Sequence, residues 1–206
     1  WAGPEHYGAY SYAMAWTALI STFSGVGFPQ AIVRFIPEYE TGHHWGALRG
    51  VVRRSEQFVV GVSCALAVGG IGFVIGFSSL RGAALYTIPL VLSFALVPPR
   101  ALLRLQTRMC VARKQMRVAH VLPRILRPTA MLAGGAVLVL GTQQPLTATA
   151  AVLIAGLPVI PVWLTQRWAF RSSLPDSVHR ARSDYETTHW LRTAFPMFLI
   201  TGFLLL

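Results

Sequence analysis

Seventeen of the eighteen lysines and arginines fall in three blocks, and long apolar runs separate the blocks. The first block, residues 34–56, holds Arg34, Arg49, Arg53 and Arg54. The second, residues 100–127, holds eight basic residues, and the third, residues 166–192, holds Arg167, Arg171, Arg180, Arg182 and Arg192. Only Arg81 stands outside them. A bilayer core takes about 20 apolar residues per helix. Runs of that kind cover 7–28, 57–77, 83–99, 121–141 and 146–165, and another begins at 193 and continues to residue 206. Five crossings place all three basic blocks on one face. An excess of lysine and arginine marks the cytoplasmic face. Hydropathy and charge are independent signals, and both predict an all-α integral membrane protein: a polytopic helical bundle with about five complete spans and the start of a sixth.

Composition excludes the other class that a formal charge of +11 suggests. A nucleic-acid binder carries its basic residues on an otherwise solvated surface. This chain is 54% hydrophobic and only 12% charged, about half the usual charged share. No nucleic-acid partner is expected. The stretch "RMCVARKQMRVAHVLPRILRP" (108–128) carries six basic residues and no acid. As a cytoplasmic connection its charges would face anionic lipid headgroups, each worth about 1 kcal/mol near the surface. Cys64 and Cys110 fit neither a disulfide framework nor a zinc motif. The chain starts without methionine and ends inside "MFLITGFLLL", which predicts a piece of a longer protein.

Several features within the spans bear on packing and transport. Ala9, Ala13, Thr17, Ser21 and Gly25 recur every fourth residue in the first span. In the second, Gly61, Ala65 and Gly69 repeat that spacing, and Gly72 and Gly76 form a GxxxG. Small residues so spaced let helices approach closely, which predicts tight packing or, more sharply, a moving interface. Pro89, Pro98, Pro158 and Pro161 fall within or at the ends of spans, where neighbours or a cavity must satisfy the freed carbonyls. Arg124 and Arg127 share one helical face at the start of the fourth span. They either snorkel to the interface or face a polar interior. The mixed-charge stretch 173–190 reads as a surface helix or loop ending in Trp190 as an interface anchor. Residues 38–55 read as a turn at Gly42 followed by an amphipathic helix. His43 and His44, beside Glu38 and Glu40, point about 100° apart on a helix. No metal site is expected of them.

Catalytic patterns are missing. There is no P-loop, GxSxG, HExxH or paired-carboxylate arrangement, so no catalytic residue, cofactor or metal is expected. Every Asp and Glu lies in a connection or at the N-terminal edge. Ion-coupled pumps usually hold an acid inside the membrane.

"GPEHYGAYSYAMAWTALISTFSGVGFPQAIVRFIPEY" (3–39) resembles the second helix and following loop of bacterial oligosaccharide flippases. These are the Wzx-type polysaccharide-biosynthesis transporters of the multidrug/oligosaccharidyl-lipid/polysaccharide exporter superfamily. The matching positions are Gly3, Pro4, Glu5, Tyr7 and Gly8, then Gly27, Phe28 and Pro29, then Arg34, Phe35, Glu38 and Tyr39. "LRTAFPMFLITGFLLL" (191–206), with Pro196 in place, resembles the start of the family's seventh helix.

The resemblance implies a 12–14-helix V-shaped flippase fold. Residues 1–192 would be its N-terminal lobe, helices two to six, with cytoplasmic loops at 34–56, 100–120 and 166–192; residues 193–206 would begin helix seven. It implies a transporter, not an enzyme, in the bacterial cytoplasmic (inner) membrane. The expected substrate is an undecaprenyl-pyrophosphate-linked oligosaccharide, flipped from the inner to the outer leaflet for O-antigen, capsule or exopolysaccharide synthesis, with envelope glycan-assembly proteins as possible partners. Arginine pairs bidentately with pyrophosphate oxygens, so Arg34, Arg124 and Arg127 are the candidate substrate contacts. Arg34 falls on a family motif; the other two rest on the physical argument. The rivals are a cation-coupled multidrug exporter of the same superfamily, a membrane-embedded polysaccharide polymerase and a non-catalytic membrane scaffold.

Overall fold

The computed structural model describes residues 3–81, 84–142, 147–182, 184, 185 and 187–203; within these, side chains are described except at 77–81, 84, 85, 122, 127, 139, 142, 179 and 200–203. The described residues are overwhelmingly helical, with no strand among them. Helix α1 (Pro4–Phe23) starts with proline in its first turn, where a missing N–H costs nothing. It bends by 43° into α2 (Phe28–Thr41). The bend uses Val26 and Gly27, both at positive φ. Gly27 is required twice over: its φ is +73°, and a Cβ there would run into the backbone carbonyl of Ala194.

A turn after Gly42 leads to α3 (Trp45–Arg81), 37 residues long. At 1.5 Å per residue it measures about 55 Å, nearly twice a hydrocarbon core of about 30 Å, so one end must project. Helices α4 (Ala84–Ala95) and α5 (Val97–Ala112) meet at a one-residue break and act as one span, Tyr86–Ala112. A π-helical turn (Arg117–Val121) feeds α6 (Leu122–Thr142). Helix α7 (Ala148–Gly156), capped by the Thr147 hydroxyl, and α8 (Val159–Ser172) form the span Ala148–Ser172. The short α9 (Asp176–Arg180) and then α10 (Thr187–Phe203) follow. Among the described residues four helical spans are long and apolar enough to cross a membrane, and five if α1 and α2 count as one.

The third span differs from the sequence expectation of 83–99. Pro98 and Pro99 looked like its end. They sit instead in the first turn of α5, which tolerates them, and the helix continues to Ala112. The basic blocks are accordingly mostly helical: α2, the start of α3, the length of α5, the π-helical turn, the start of α6, the end of α8, α9 and the start of α10 carry them.

The main core lies among these basic-end segments. Phe28, Ile32, Phe35 and Ile36 of α2 pack with Leu48 and Val51 of α3, Leu105 and Met109 of α5, Phe170 of α8 and Trp190 of α10. Trp190 was expected as an interface anchor. It is fully buried, and its indole donates to the Tyr39 hydroxyl at 2.9 Å. The charged residues around it in sequence had disguised a core residue. Gly46 and Gly50 of α3 make room for the chain at Arg182 and Asp184, and the Asp184 N–H donates to the Gly46 carbonyl at 3.1 Å.

Further from the basic end the packing thins to a small cluster of Ala67, Phe94 and Val97. The two small-residue stripes diverge here. Ala9, Ala13, Thr17 and Ser21 are the buried face of α1, and Thr17 donates to the Ser93 carbonyl of α4 at 3.2 Å. Tight packing is the outcome for that stripe. On α3 a Cβ at Gly61, Gly69, Gly72 or Gly76 would meet nothing within 4 Å. That helix packs through Ser63, Ala67 and Gly70 instead, with Gly70 against the Phe94 ring.

Candidate functional site

Helix α5 carries Arg100, Arg104 and Arg108 at successive four-residue steps, so they form a ladder on one face. They stand about 21, 27 and 33 Å from Tyr86, along a helical stretch, Tyr86–Ala112, that is long and apolar enough to cross a membrane. The ladder faces α1. Half-buried Arg100 donates to the Met14 sulfur at 3.2 Å, and Arg104 donates to the Thr22 hydroxyl. Arg108 is exposed. Arg104 has no carboxylate partner among the described residues. A guanidinium in such a place usually faces a polar interior or a ligand path. The sequence reading had placed these three residues in a connection because it ended the span at Pro99. Their i, i+4, i+8 spacing was legible throughout.

Of the three residues singled out from sequence, Arg34 lies on a different helix from Arg124 and Arg127. Arg34 is on α2, its side chain 68% exposed, 3.7 Å from Glu38 one turn on. Arg124 is exposed on α6. Arg127 belongs to the same helix, and its side chain lies outside the described residues. Among the described residues α2 and α6 are not closely packed neighbours. Arg113, expected to face lipid headgroups, is instead paired: its Nε lies 2.9 Å from Glu40 and its Nη1 donates to the Ser173 hydroxyl at 3.0 Å. Its partners come from distant parts of the chain, which is why the acid-free stretch around it misled. Among the described residues no group of three His, Cys, Asp or Glu side chains could hold a metal ion.

A buried polar junction fixes the start of α6 beside the ladder helix. Pro123 lacks the N–H that would bond the Ala119 carbonyl in an α-turn or the Val118 carbonyl in a π-turn. The fully buried Gln166 of α8 donates to both carbonyls, at 3.1 Å to Val118 and 3.3 Å to Ala119. The Thr107 hydroxyl of α5 in turn donates to Gln166 Oε1 at 3.0 Å. One glutamine thus ties α5 and α8 to the π-helical turn that leads into α6. Nothing in the sequence marked Gln166 beyond its being polar near the end of an apolar run.

On the opposite side of α5 a cavity of about 690 Å³ opens between α3, α5 and α8. Arg49, Arg53, Arg167 and Arg171 line it with a single acid, Glu56. Glu56 is already taken: its carboxylate lies 3.0 Å from Arg167, whose guanidinium also sits over the Trp163 ring.

Spanning helices of this number, with arginine concentrated at one end of the bundle, define a multi-pass membrane protein. A family model described as polysaccharide biosynthesis protein matches residues 2–200, and the chain belongs to that family. Its members are generally transporters rather than enzymes, which makes this a membrane transporter of polysaccharide synthesis. No curated protein and no solved structure matches the chain.

Proposed function

We propose that the protein flips an undecaprenyl-pyrophosphate-linked oligosaccharide from the inner to the outer leaflet of the bacterial cytoplasmic membrane, supplying cell-surface polysaccharide assembly. The observation that carries this reading is the α5 ladder. The barrier to flipping is the passage of a charged, hydrated headgroup through hydrocarbon. Arg108, Arg104 and Arg100 offer successive charge-assisted, bidentate contacts from the basic end into the span. The basic end is the cytoplasmic one by the excess of arginine there. In the family scheme the spans are helices two to six of the first lobe, and α10 begins helix seven. Arg34, Arg124 and Arg127 stay candidates for contacts made when the second lobe is present. Proteins of envelope glycan assembly are the expected neighbours.

The test is reconstitution of the full-length protein in liposomes carrying an undecaprenyl-pyrophosphate glycan in one leaflet. Glycan should appear in the other leaflet. Drug efflux driven by a sodium or proton gradient is followed in parallel. Efflux with no glycan movement would move the protein to the multidrug branch of the superfamily.

A further inference from the structure

The cavity between α3, α5 and α8 is separate from the arginine ladder. Its α5 contributors, Leu102 and Gln106, stand about 200° round the helix from Arg104. Its polar groups are unbalanced. Gln106 is 2% exposed, and its amide nitrogen has no hydrogen-bond partner; the indole nitrogen of Trp163 has none either. Both are donors. Arg53 and Arg171, exposed at the mouth, have no ion-pair partner among the described residues. The one carboxylate is held by Arg167. Buried donors without acceptors are costly, and a site whose unpaired groups are these donors and cations, its one carboxylate being engaged, is complementary to an anion. Apart from Arg49 and Gln57, the rest of the lining, Val52, Val60 and Phe170 among it, is apolar.

The cavity also sits at a particular depth. Trp163 is about 22 Å down its span from Ala148 and Arg171 about 34 Å, so the site straddles the edge of the hydrocarbon layer. On α3, Arg49 and Arg53 precede the apolar run and Val60 lies inside it. An occupant therefore meets cations at headgroup level and apolar side chains beneath.

We infer that this cavity is a specific site for one anionic phospholipid of the surrounding leaflet. Its phosphodiester is held by Arg53, Arg171 and the Trp163 and Gln106 N–H groups, and its glycerol and upper acyl chain lie on the apolar wall. The site is distinct from diffuse attraction between basic residues and the membrane, and from the path proposed for the flipped substrate. Its occupancy would brace α3, α5 and α8 against one another.

The experiment uses the full-length protein in phosphatidylcholine nanodiscs titrated with phosphatidylglycerol, with bound lipid counted by native mass spectrometry. The expected result is saturation at one retained phosphatidylglycerol per chain. Arg53→Gln with Arg171→Gln should weaken retention roughly tenfold or more, the scale of losing charged hydrogen bonds. Trp163→Phe, which keeps the ring and removes the donor, should weaken it several-fold and serves if the double variant does not fold. Arg117→Gln with Arg192→Gln removes the same charge elsewhere and should leave retention unchanged. Equal weakening in both double variants, or no saturation, would overturn the proposal in favour of diffuse attraction. Displacement of phosphatidylglycerol by inorganic phosphate or pyrophosphate at matched concentration would also overturn it, by showing a site for the free anion. Transport is not measured, so the result stands apart from the flippase reading.

Discussion

The two ends of this bundle are built differently. At the basic end, α2, α3, α5, α8 and α10 converge on large interlocking side chains: Phe28, Ile32, Phe35, Leu48, Met109, Phe170 and Trp190. Toward the other end, contact rests on small residues such as Ala9, Ala13 and Ala67, while Phe73, Leu132 and Leu140 point outward. The reason is the solvent each end meets. Where the basic end passes from the bilayer into headgroups and water, burial of apolar surface drives packing. Within it, lipid is as apolar as leucine, so close approach of small residues and hydrogen bonds do the work. The arginines that read as loop charge decorate a folded core.

That contrast can be broken most severely at Gly27. Gly27→Val puts a β-branched side chain at positive φ and against the Ala194 backbone, and should cost more than about 4 kcal/mol, seen as loss of monodisperse protein in detergent. Gln166→Leu leaves the Val118 and Ala119 carbonyls bare and should cost about 2–6 kcal/mol by denaturant titration, from about 1–3 kcal/mol per orphaned group. A matched pair sharpens the comparison within the membrane. Ala13→Leu overpacks the buried face of α1 and should cost about 1–3 kcal/mol. Gly69→Leu, on a face of α3 where a Cβ meets nothing, should be neutral or stabilising in this chain, since glycine costs a helix about 1 kcal/mol. Tyr39→Phe removes the acceptor of the Trp190 indole and should cost about 1 kcal/mol. Arg34→Gln loses an exposed pair and should change stability by less than about 0.5 kcal/mol.

The spans were legible because hydropathy and charge report on lipid directly. The α1 stripe was legible as packing, while the equal stripe on α3 shows that such spacing permits approach without guaranteeing a partner. What escaped the sequence reading depended on contacts between distant segments. Trp190 reaches Tyr39 across 151 positions, and the Arg167–Glu56 pair that shapes the cavity spans 111. Gln166 became meaningful only once Pro123 was seen to free the carbonyls facing it. The arginine ladder is hidden for a different reason: Pro98 and Pro99 can mark either the end or the start of a helix, and here they start α5.

The most direct test of the ladder's role compares the wild-type protein with Arg100→Gln/Arg104→Gln in liposomes, following glycan translocation, with thermal unfolding in detergent as the check on folding. The expected result is a translocation rate at least about tenfold lower, the scale of one lost charged contact, in a variant that unfolds as the wild type does. Wild-type translocation in the folded double variant would contradict the reading of α5 as the path of the pyrophosphate.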